Sequence, residues 1–92
     1  MQLTLSLLQF DAAIGSPEDN AGRAAEWVRE AGRRGSDLVL LPELWHDGLA
    51  YPQAAQLAAP LGERSFALMG HMAADAGVFL AGSAFERAGD AV

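Results

Sequence analysis

A chain of 92 residues holds at most one small domain and buries only somewhat over ~60% of the surface its unfolded form exposes. A formal charge of -6, with every cation an arginine and no basic run, argues against a nucleic-acid or anionic-membrane partner. The absence of cysteine excludes disulfides and thiolate metal sites, and no apolar run is long enough to span a membrane, so the default location is cytoplasmic.

Residues 3–10 alternate Leu3, Leu5 and Leu7 against Thr4 and Ser6, the period of a strand. Ser16, Pro17, Glu18 and Asp19 then announce a helix: a cap, a proline suited to the first turn, and acids near the positive dipole end. The helix runs to about Arg34, with Ala21, Ala24, Ala25, Val28 and Ala31 as its inward stripe and Gly35 as its stop. Residues 37–42 form a second strand, whose unbroken apolar run suits burial on both faces. An alanine-rich connection follows, with a short helix starting near Pro52. Ser65 is the expected cap of a helix to Ala76 that faces inward through Phe66, Met69, Ala73 and Ala76. Residues 78–85 give the third strand, and Ala88, Gly89 and Asp90 read as a hairpin turn leading into a further strand. The order βαβαβ predicts an α/β layer built on a parallel sheet.

The candidate chemistry gathers where the second strand ends. Glu43 follows Pro42 and precedes Leu44 and Trp45, so partial desolvation is expected to raise its pKa toward that of a general base. A solvated loop carboxylate is the competing reading, and local context alone favours it. His46 and Asp47 read as a polar loop, since no nucleophile-elbow pattern accompanies them. Trp45 and Tyr51 are candidates for lining a substrate pocket. Trp27, Met69 and Met72 read as packing residues, His71 as a surface residue, and Ser83 as a sheet residue. Two histidines without metal-ligand spacing give no metal site, and no cofactor motif is present. One glycine after the first strand is too few for a dinucleotide or phosphate loop. A phosphoacceptor module would want a lysine, and the chain has none.

Gln9-Phe10, Asn20, the run Gly35-Ser36-Asp37-Leu38-Val39-Leu40-Leu41-Pro42-Glu43, Gly48 and Gly82-Ser83 together resemble the N-terminus of the carbon–nitrogen hydrolase (nitrilase) superfamily. The resemblance covers essentially the whole chain but only about the first third of such a domain. It implies an αββα sandwich, of which residues 1–92 would be an incomplete part. It also implies a Glu–Lys–Cys mechanism acting on a small amide or nitrile, with Glu43 as general base and no cofactor. The lysine and cysteine have no counterpart here, so the chain alone is expected to lack turnover. Leu49 stands where many relatives carry an aromatic. An uncovered sheet face would drive self-association or leave the chain molten. The competing readings are a non-catalytic α/β assembly module and a small-molecule-binding domain.

Overall fold

The computed structural model describes all 92 residues. Three short parallel strands lie in the order β1 (Leu5–Leu7), β2 (Leu38–Leu40), β3 (Phe79–Ala81). Helix α1 (Pro17–Arg33) joins β1 to β2. A 3-10 turn (Tyr51–Gln53), α2 (Ala54–Leu57) and α3 (Arg64–Ala76) lie between β2 and β3. The βαβαβ order is therefore as expected, with the short helix near Pro52 in place.

The strands are shorter than their apolar runs. β2 stops before Pro42, which has no N–H to donate, and pairing on either side ends with it. The last rungs are Leu8 N–H to the Leu40 carbonyl and Leu41 N–H to the Ala81 carbonyl, both 2.9 Å. Residues 82–85 consequently leave the sheet. Leu5, Leu38 and Phe79 share one face, and Ser6, Val39 and Leu80 share the other.

Only the second face is covered. Ala24, Val28 and Ala31 of α1 and Met69 of α3 close over Val39 with Leu8, Leu41 and Trp45. Small side chains let the two helices approach closely: a Cβ on Gly32 would stand 2.7 Å from the Ala76 carbonyl oxygen. Burial of β2 on both faces, expected from its composition, is not realised; Leu38 and Leu40 are half-buried. Trp27 is likewise not a packing residue. It stands 52% exposed beside Leu7, Leu8 and Phe10, over the outer edge of β1 where no further strand pairs.

Helix α1 starts at Pro17 behind Ser16 as expected, though Ser16 makes no side-chain capping bond; Ser65 sits within the first turn of α3 instead of capping it. The turn expected at residues 88–90 is present, closed by reciprocal backbone bonds between Ala88 and Ala91. No helix is long and apolar enough to cross a membrane.

Candidate functional site

The carboxyl ends of parallel strands point their loops to one side, where α/β folds place ligand sites. Here the loop after β2 carries Glu43 to that side. Glu43 lines a hollow of about 190 Å³ with Phe10, Asp11, Ala12, Pro42, Gly48 and Leu49. Its carboxylate is exposed, which corrects the expected desolvation: Leu44 and Trp45 turn away beneath it and give no apolar cover. One contact holds it, a hydrogen bond donated by Tyr51 Oη to Glu43 Oε1 at 3.2 Å. Tyr51 is more than half exposed, and its ring meets Phe85 edge-on with centroids 5.8 Å apart. The Glu43 charge, with smaller help from burial and the hydrogen bond, raises the Tyr51 pKa above its ordinary value.

The residues after Glu43 are the reverse of a solvated loop. Leu44, Trp45, His46, Asp47 and Gly48 are all buried. Trp45 is wholly enclosed in the core, so within this chain it supports the loop from below instead of lining a pocket. Its ring stacks on that of His46 at 5.0 Å, and its Nε1–H finds no acceptor.

Polar contacts fix this segment from three directions. Asn20, completely buried on α1, accepts a bond from Ala13 N–H at 2.9 Å and donates to the Ala13 and His46 carbonyls at 2.8 Å each. His46 Nδ1 and Ser65 Oγ lie 2.8 Å apart. Arg64 grips both oxygens of Asp47 at 2.5 and 2.7 Å. Burial first, and the Arg64 charge second, lower the His46 pKa, while the hydrogen bond to Asp47 raises that of Arg64. From β3's side, Ser83 Oγ accepts the Leu44 N–H at 2.9 Å.

The backbone is bent to reach this arrangement. Leu44 adopts φ +47°, a left-handed conformation costing roughly 1 kcal/mol for a non-glycine residue. Gly48 has φ +72°, and a Cβ there would stand 2.7 Å from the Ala12 carbonyl oxygen. Only glycine fits both demands.

The model of the carbon-nitrogen hydrolase family matches residues 4–92. The chain belongs to the carbon–nitrogen hydrolase family. It is similar to a "Nitrilase" of Pyrococcus abyssi, 30% identical over 91 residues, covering 94% of this chain and 34% of the relative. It is also similar to a "2-oxoglutaramate amidase" of Bacillus subtilis, 38% identical over 58 residues, covering 63% of this chain and 22% of the relative. The chain thus spans about a third or less of the curated relatives it matches. Sequence reasoning about this hydrolase-family chain named Glu43 and Tyr51 but missed that they touch. It also set aside His46, Asp47, Ser65 and Ser83, whose partners lie 17 to 39 residues away. Asn20 was the available signal, since an amide on an otherwise alanine-lined face demands buried partners.

Proposed function

We propose that the chain is the N-terminal portion of a carbon–nitrogen hydrolase acting on a small amide or nitrile, with Glu43 as its general base. The observation that carries this reading is Glu43's place past the central strand, on the wall of a hollow, at the head of a loop held by two buried hydrogen bonds and a part-buried ion pair. A carboxylate so placed takes a proton from an attacking thiol and returns it to the departing amine. A lysine ammonium would stabilise the charge developing on the carbonyl oxygen or nitrile nitrogen. Neither cysteine nor lysine exists among these residues. The hydroxyl nearest a base, that of Ser65 beside His46, belongs to a residue only 4% exposed and is closed to substrate.

The chain alone is therefore inactive. In the proposed whole enzyme, the bare face carrying Leu5, Leu7 and Phe79 packs on a second sheet to make an αββα sandwich, and the partner is a small-molecule substrate. The test is ammonia release from short amides and nitriles by the product of the full reading frame. Glu43→Gln should lower kcat by about 10²- to 10⁴-fold with the fold intact. Unchanged turnover in that variant, or Glu43-dependent turnover by residues 1–92 alone, overturns the reading. Absence of turnover in a stable product that binds another protein would favour the non-catalytic module.

A further inference from the structure

We propose that Tyr51 is a positioning residue for Glu43, its hydroxyl holding Oε1 so that Oε2 is left as the proton-accepting oxygen. The role rests on the hydrolase reading of Glu43; the contact does not. Oε2 has no hydrogen-bond partner within the chain, so the bond at Oε1 alone decides which oxygen is free. Tyr51 is well placed to hold a direction. Its backbone follows a tight turn in which Ala50 N–H donates to the Gly48 carbonyl at 2.7 Å and Gln53 N–H to the Ala50 carbonyl at 3.0 Å. The Phe85 ring, at 76° to its own, limits its swing from the other side. The segment behind Phe85 is tied to the α2–α3 connection through Arg87 N–H and the Ala59 carbonyl at 2.9 Å.

A hydroxyl bonded to one carboxylate oxygen removes the side-chain rotation that would otherwise carry the reacting oxygen out of line. The other ionisable groups nearby are Asp11, on the far wall of the hollow, and Glu86 and Arg87, which follow Phe85. None of these is hydrogen-bonded to Glu43. A tyrosine that merely lined the pocket would contact substrate and do none of this.

Because Tyr51 is the chain's one tyrosine, ¹³Cζ-tyrosine labelling gives a single resonance to follow. Between about pH 3 and 7, where carboxylates titrate, that resonance should track Glu43 and cease to do so in Glu43→Gln. In the product of the full reading frame, Tyr51→Phe should lower kcat roughly fivefold while KM changes by less than about twofold. Phe85→Ala should reproduce a milder form of the same pattern. A Cζ resonance indifferent to Glu43→Gln overturns the proposal. So does a Tyr51→Phe enzyme whose KM rises while its kcat stays in place. Tracking without wild-type turnover overturns the hydrolase reading, and with it the role of Tyr51, while leaving the pair itself standing.

Discussion

On one face of the sheet Val39 is wholly enclosed by α1 and α3, while on the other Leu5, Leu7 and Phe79 are 54%, 71% and 80% exposed. Both faces carry large apolar side chains, and the helices cover only one. Two crossovers of one hand, joining strands in the order β1-β2-β3, put both helices on the same side. The opposite side is left with side chains that gain nothing until something else packs there. The difference teaches that apolar composition alone does not cover a strand: burial goes to the side on which the helices land.

The largest expected effect that tests this contrast is Trp45→Ala. Emptying the enclosed face should destabilise the chain by about 3–5 kcal/mol, read as a urea midpoint, whereas Phe79→Ala should change it by less than about 0.5 kcal/mol. Equal losses from the two would erase the distinction between the faces. Next comes Asn20→Ala, which strips two carbonyls and one N–H of their partner and should cost about 3 kcal/mol. Hydrogen exchange at residues 44–48 should accelerate in that variant more than in the strands.

Acid should act on the enclosed side through His46. Its folded pKa is lowered by burial below 6.5, so the unfolded chain binds more protons as the pH falls past that point. Stability is therefore fully present above 6.5 and declines below it until the folded pKa is passed. Glu30, whose pKa is lowered chiefly by its hydrogen bonds to Arg33 and Arg34, withdraws its contribution only below 4.5. Comparing urea midpoints near pH 7 and pH 5 isolates the histidine, and His46→Gln should flatten that interval. The bare face gives a milder readout. Threonine at positions 5, 7 and 79 should weaken concentration-dependent self-association in sedimentation, and a wild-type chain that is already a sharp monomer would contradict this. Trp45→Phe should stay within about 1 kcal/mol, because the lost volume is offset by removal of a buried donor without an acceptor.

The element order, α1 and most of its inward stripe were legible because helix and strand periods are local properties. Ala24, Val28 and Ala31 are buried as the spacing requires. The position of Glu43 was legible for a similar reason, since Pro42 marks the strand end. Its exposure was not, because desolvation depends on what stands over a residue and not on what precedes it. The loop from Leu44 to Gly48 misled for the converse reason. His-Asp beside a glycine has the composition of solvent-facing chain, yet Ser65, Arg64 and Asn20 satisfy it from other elements. Trp27 failed on geometry: it lies at the margin of the buried stripe, against a strand edge with no neighbour.

Asn20 and Gly48 both engage the connection between β1 and α1, the first through Ala13 and the second by lying against Ala12. That connection is thus a fixed spacer between the first helix and the hollow beside Glu43. Adding or deleting a single residue there would have to shift the loop after β2 as well.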